Sequence, residues 1–187
     1  MVKLMNVMKR YLKIIILGWM LCTVQNLVAQ STTIDTTGDL FKDFRTELMW
    51  EANVKIGNTI VVGESKRGIR RIIPITGGTF SGSKIKGDVL PLGEDWQLVR
   101  PDGDTELYAR YLLKTHDGHL IQVINRALIH TGAKGNDFYC KSVLDLEAPV
   151  DSPYDYLNHA VFMGTIRFPV LQPGEDPYVI IGVYRVM

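Results

Sequence analysis

From Phe44 to the C-terminus the chain is written in short runs in which apolar and polar residues alternate with a period of two, punctuated by Gly, Pro, Asn and Asp. Leu48, Trp50 and Ala52 alternate with Met49, Glu51 and Asn53, which predicts a first strand over residues 44–54. Further β-runs are expected over 56–63, 69–75, 79–85, 95–100, 105–116, 119–127, up to Leu144, 159–168 and 178–186. The Gly77-Gly78 pair reads as a hairpin turn between two of these runs, because both residues tolerate positive φ. Pro101-Asp102-Gly103 and Asp117-Gly118 read as two more turns, and residues 154–157 as a single helical turn. No long stretch at helical period and no internal repeat interrupts the series. Eight to ten antiparallel strands in one domain point to an all-β sandwich or barrel.

The pattern also predicts which residues share a face. If Asp117-Gly118 is a two-residue type I′ loop, His116 faces His119, Arg110 faces Asn125 and Tyr108 faces Ala127. Tyr108, Arg110 and Asn125 then lie on one side of the hairpin, with Leu112, Ile121 and Val123 beside them. Leu107, Ala109, Tyr111 and Leu113 lie on the other.

The first 29 residues follow a different rule. Lys3, Lys9, Arg10 and Lys13 precede an apolar run from Ile14 to Cys22, and Leu27-Val28-Ala29 supplies an A-x-A-like site before Gln30. The run is shorter than the roughly 20 residues that span a bilayer. Leu21 also fills the place before Cys22 where a lipoprotein signal has a small residue. The expectation is a signal peptide over 1–29, a lead-in rich in Ser, Thr and Asp over 30–39, and one domain over 40–187. The protein is then exported to the periplasm or the medium, with no stable membrane anchor after cleavage. Cleavage changes the charge from 21 Lys+Arg against 20 Asp+Glu to 17 against 20. A mildly acidic domain lacks the basic surface that nucleic acid requires. It also retains one cysteine, Cys140, so no intrachain disulfide can form, and the alternation around Cys140 makes it a small buried hydrophobe.

Several of these segments together resemble one family. Residues 73–82 (Ile-Pro-Ile-Thr-Gly-Gly-Thr-Phe-Ser-Gly), Gly-Glu-Asp-Trp-Gln at 93–97, Arg-Pro-Asp-Gly at 100–103, Ala-Arg-Tyr at 109–111 and Asp117-Gly118 are similar in kind and order to DUF3237, also called UPF0311. Tyr156-Leu157-Asn158 matches where that family favours Trp-Leu-Asn. Tyr108 departs from it, standing where the family has Asp before Ala-Arg-Tyr. The resemblance spans nearly the whole mature chain and implies an antiparallel β-barrel. It implies no reaction, because the family is named for its unknown function.

Candidate chemistry is sparse. Asp95 and Arg110 fall inside strands, where an unpaired charge is costly to bury. Either they pair with one another, or they line a cavity in which Arg110 binds an anionic group and Asp95 acts as acid or base. Tyr108 and Asn125 join Arg110 in the expected binding wall, and Trp96, on the opposite face from Asp95, is expected in the core. His116 and His119 would oppose each other across a turn, but no matched Cys, His or carboxylate spacing completes a metal site. His130 has no evident partner, and a lone His159 reads as structural. No cofactor motif or nucleophile elbow occurs. Three readings stay open: a barrel that binds a small, partly apolar or anionic ligand; a cofactor-independent isomerase, hydratase or lyase acting on a small cyclic or aromatic molecule; and a structural, homo-oligomer-forming barrel.

Overall fold

The computed structural model describes residues 44–132 and 138–187. The leader and lead-in expected over 1–39 lie outside these residues, as does part of the loop before Phe138. Among the described residues there are ten strands: β1 (Thr46–Ile56), β2 (Ile60–Ser65), β3 (Gly68–Ser81), β4 (Lys86–Val89), β5 (Gly93–Val99), β6 (Thr105–Thr115), β7 (Leu120–Thr131), β8 (Phe138–Glu147), β9 (Phe162–Arg167) and β10 (Tyr178–Val186). A 3-10 turn over Asp155–His159 precedes β9, at the place where the sequence predicts a helical turn.

All pairings are antiparallel, and they close into an eight-position barrel. The order runs β1, β10, β9, β8, β7, β6, and then β4 and β5, which share one position between β6 and β3. Pairing of β1 with β3, from Glu51 opposite Ser81 to Ile56 opposite Ile75, shuts the ring. Closure satisfies backbone groups that an open sheet would leave along two edges. Only β2 continues past the ring, paired with the start of β3.

Strand alternation fills the two ends of the barrel differently. At the end where β6 finishes and β7 begins, Trp50, Phe80, Leu113, Ile121 and Phe162 are all no more than 2 % exposed, and Trp50 meets Phe80 edge-on at 5.9 Å between centroids. The 3-10 turn presses Leu157 into this cluster, at 1 % exposure. Each fully buried side chain of this size contributes about 1.5–3 kcal/mol from removal of apolar surface. Toward the other end the inward residues are smaller or polar (Ala109, Ala127, Asp95, Gln97), and packing is incomplete.

The structure corrects two turn assignments. Gly77-Gly78 is not a hairpin but lies inside the 14-residue β3, with φ of 136° and 135°. There β3 changes partner from β5 to β4 on one side while meeting β1 on the other. A Cβ on Gly78 would stand 2.0 Å from the Asn53 carbonyl oxygen, so the pair admits the close approach of β1 that seals the barrel.

The second correction concerns Asp117-Gly118, which does turn the chain but within a three-residue loop. Thr115 N–H donates to the His119 carbonyl at 2.9 Å, Gly118 N–H donates to the Thr115 carbonyl at 2.9 Å, and Gly118 has φ 95°. Ala109 therefore faces Asn125, and Arg110 faces Ile124. One extra loop residue shifts the pairing by one and reverses which side chains of β6 share a face with Asn125.

The two glycines predict different substitution costs. Gly118→Ala has open space around the added methyl and only backbone strain to bear, so it is expected to lose about 1–3 kcal/mol. Gly78→Ala adds a collision with the β1 backbone to the same strain, and its loss in chemical denaturation should exceed that of Gly118→Ala. Equal losses would mean that the β1–β3 seam is not as tight as described.

Candidate functional site

Inside the loosely filled end, β5 presents Asp95 and Gln97, two residues apart and hence on the same face. Gln97 lies opposite Arg71 of β3 and is 5 % exposed. Arg71 Nε donates to Gln97 Oε1 at 2.6 Å, and Gln97 Nε2 donates to Asp95 Oδ2 at 2.6 Å. A guanidinium is thus linked to a carboxylate through an amide that satisfies both.

One strand further on, Asp95 pairs with Ala109, and Ala109 pairs with Asn125 of β7, which is 2 % exposed. The single methyl of Ala109 stands between the two polar side chains and leaves room above it. A cavity of about 70 Å³ occupies that room, lined also by Gln97 and Tyr111 and for the rest by apolar groups such as Ile73, Leu107, Ile166 and Val179. Asp95 Oδ1 and Asn125 Oδ1 are both buried, and neither has a hydrogen-bond partner. Buried acceptors without partners cost about 1–3 kcal/mol each, so two beside one cavity mark a place where a donor is called for.

The low-dielectric setting also shifts acidity. Burial raises Asp95 above the usual carboxylate range, against the opposing hydrogen bond from Gln97 and the charge of Arg71. Tyr111 shares the cavity and is 3 % exposed; burial, and then the charge of Asp95, push its phenol upward, so it stays neutral. Cys140, 4 % exposed on the inner face of β8, is likewise raised by burial, which favours the neutral thiol.

The structure divides the residues that the sequence grouped. Asp95 and Asn125 come together inside. Arg110 projects outward, where its Nε and Nη2 both donate to Gln122 Oε1 at 3.2 and 2.7 Å. Arg110 therefore neither pairs with Asp95 nor reaches the cavity. Tyr108 is also outside, 39 % exposed, with the Arg126 guanidinium 5.3 Å from its ring centroid. Trp96, expected in the core, is 43 % exposed, and its Nε1 donates to Glu94 Oε1 at 2.9 Å. His130 does have a partner, with Nδ1 2.6 Å from Asp104 Oδ1. His119 lies 3.4 Å from Asp117 and packs edge-on against Tyr154. Among the described residues no three His, Cys, Asp or Glu side chains gather as a metal would require. Gln97 was open to detection by its spacing from Asp95. Arg71 was not, because only the β3–β5 register brings it near.

A family model described as a protein of unknown function (DUF3237) matches residues 44–186. The chain belongs to that family. DUF3237 relatives include UPF0311 proteins from two strains of Rhodopseudomonas palustris, 41 % identical over 83 residues and 42 % identical over 80. These alignments take in 44 % and 43 % of this chain, and the chain spans about half the length of those relatives, 54 % and 52 %. Solved structures align more fully. A protein of unknown function from R. palustris has a TM-score of 0.67 at 29 % identity, over 77 % of this chain and 98 % of its own. A β-barrel-like protein from Acinetobacter baumannii has a TM-score of 0.66 at 33 % identity, over 77 % and 96 %. An enzyme from Penicillium herquei shares the fold at 21 % identity, with a TM-score of 0.59 over 78 % and 96 %.

The buried carboxyl of this DUF3237 barrel carries a stability signature. A folded-state pKa raised above the unfolded value near 3.8 means that the native state binds the proton more tightly, so stability falls as pH rises from that value through the folded pKa. Asp95→Asn removes this dependence. Its melting temperature relative to the native chain should therefore rise with pH across that window, as read by thermal melts in a buffer series. A difference independent of pH would show that Asp95 is not held in a desolvating site.

Proposed function

We propose that this DUF3237 protein is an exported barrel that binds a small, partly apolar molecule at its open end. The observation that carries the reading is the pair of unpartnered acceptors, Asp95 Oδ1 and Asn125 Oδ1, on residues that line a mostly apolar cavity. A hydroxyl or amine of the ligand would donate to them, and its apolar body would lie against Ile73, Val179 and Phe168 toward the mouth. A cavity of about 70 Å³ is small beside the roughly 300–1,000 Å³ of pockets that enclose whole ligands, so it suits a head group with the remainder near the opening. The anionic ligand expected from Arg110 is no longer part of this reading, because Arg110 faces away. The basic, apolar and small-residue order of positions 1–29 supports export.

A second reading rests on the acidity of Asp95. A carboxyl raised by burial and set beside a cavity is suited to move a proton in a cofactor-independent isomerase, hydratase or lyase. Ligand capture separates the two readings: a binder retains its molecule unchanged, whereas an enzyme releases it altered, and Asp95→Asn abolishes the change without abolishing binding.

Native mass spectrometry of the protein purified from its own host should show a retained small molecule and a mass that starts near Gln30. Calorimetry with that molecule should show Asn125→Leu weakening it by several-fold to about tenfold, the loss of one hydrogen bond. A ligand-free barrel that takes up no compound from a host extract would count against binding in either reading. A mature protein retaining Met1 in the cytoplasm would count against export alone.

A further inference from the structure

The outer face of the barrel carries a groove whose lining meets that of the interior cavity only at Leu107 and Ala127. Across β5, β6, β7 and β8 the residues Trp96, Tyr108, Arg126 and Val143 are direct cross-strand partners in one transverse row. Such neighbours stand about 4.5–5.5 Å apart, close enough for stacking. Trp96, Tyr108 and Val143 are 43, 39 and 57 % exposed, so the row is a band of large apolar surface left in water. It floors a groove of about 560 Å³, within the range that accepts one molecule of two or three rings.

The charge at its rim is one-sided. Arg67, Arg70, Arg126 and Lys141 line the groove against one carboxylate, Glu106. Glu106 is already engaged by Arg67 at 3.1 Å and by Arg100 at 3.6 Å. Among the described residues Arg70, Arg126 and Lys141 have no carboxylate within ion-pairing distance. Three uncompensated cations gathered here are unusual in a domain whose mature sequence carries more acidic than basic residues. Arg126 lies over the Tyr108 ring, its guanidinium carbon 5.3 Å from the centroid, so a cation stands at the edge of the aromatic band.

We propose that this groove binds a planar aromatic anion, a carboxylate or sulfonate on a fused or paired ring system. The ring stacks on Trp96 beside Tyr108, and the anion is held by Arg126 with Lys141 and Arg70 beside it. Aromatic surface without the cations would accept any apolar ring. The cations without that surface would accept any phosphate. Both lining one groove select a ligand that has both properties.

The test uses the full chain and 1-naphthoate as probe, with 1-naphthylmethanol as the uncharged counterpart and inorganic phosphate as the ring-free one. Calorimetric titration should give a dissociation constant for 1-naphthoate at least about tenfold lower than for either counterpart, the range of one charge-assisted hydrogen bond or one stacked ring. Arg126→Met and Trp96→Ala should each weaken 1-naphthoate by about tenfold with unchanged thermal melts. Arg110→Gln, outside the groove, should leave its affinity unchanged. No binding of 1-naphthoate, equal binding of the alcohol or of phosphate, or full affinity in both groove variants would each overturn the assignment.

Discussion

A strand in a closed barrel has only two faces, and the register of its pairing decides which residues see the interior. In this protein that decision is made at the turn between β6 and β7. Three residues rather than two separate the paired ends, so Ala109, Tyr111 and Asn125 turn inward while Tyr108 and Arg110 turn outward. The turn is well tied. Thr115, 2 % exposed, accepts from the His119 N–H at 2.9 Å, and Asp117 receives the hydroxyls of Thr115 and Tyr154. Those bonds hold the Asp117 carboxyl down to about 2, the Thr115 hydroxyl contributing most. Tyr154 also belongs to the core cluster at that end, so turn and core share a partner.

The contrast between the two ends of the barrel follows from that register. One end is filled by aromatic and branched side chains and has no space to give. Nearer the other end the inward row reads Asp95, Ala109, Asn125, and a small residue between two polar ones cannot fill a barrel of this width. An interior chosen only for stability would put apolar groups there, since buried unpartnered acceptors are destabilising. The Arg71–Gln97–Asp95 chain compensates one carboxylate oxygen and leaves the other buried without a partner. Local sacrifice of stability at a concave, mostly apolar place is the feature on which the proposed binding function rests.

Much of this fold is legible from alternation and turn residues alone, because a period of two and the Gly, Pro and Asp punctuation are local properties. The long runs before and after Asp117-Gly118 and the final run from Tyr178 to Val186 are strands close to where the pattern places them. Register is not local in the same way. Asp-Gly suits a two-residue loop and also the last two positions of a three-residue one, and that single ambiguity carried Arg110 and Tyr108 to the wrong face. Gly77-Gly78 misled for a related reason: positive φ serves a hairpin and a strand squeezed by its neighbour equally well. Trp96, expected in the core because it lies on the opposite face from Asp95, instead stands on the outer face of β5 and lines the groove. Asp95 was legible as a candidate because a charge inside a strand demands explanation, whereas Asn125 entered only through its expected pairing with Arg110. Their meeting across Ala109 needed the barrel.

The most direct measurement is the cross-strand register in solution, read from nuclear Overhauser contacts between the backbones of β6 and β7. Contacts pairing Ala109 with Asn125 and Leu113 with Ile121 are predicted, with Arg110 opposite Ile124. Contacts pairing Arg110 with Asn125 would bring the guanidinium onto the Asn125 face and contradict the interior described for this barrel.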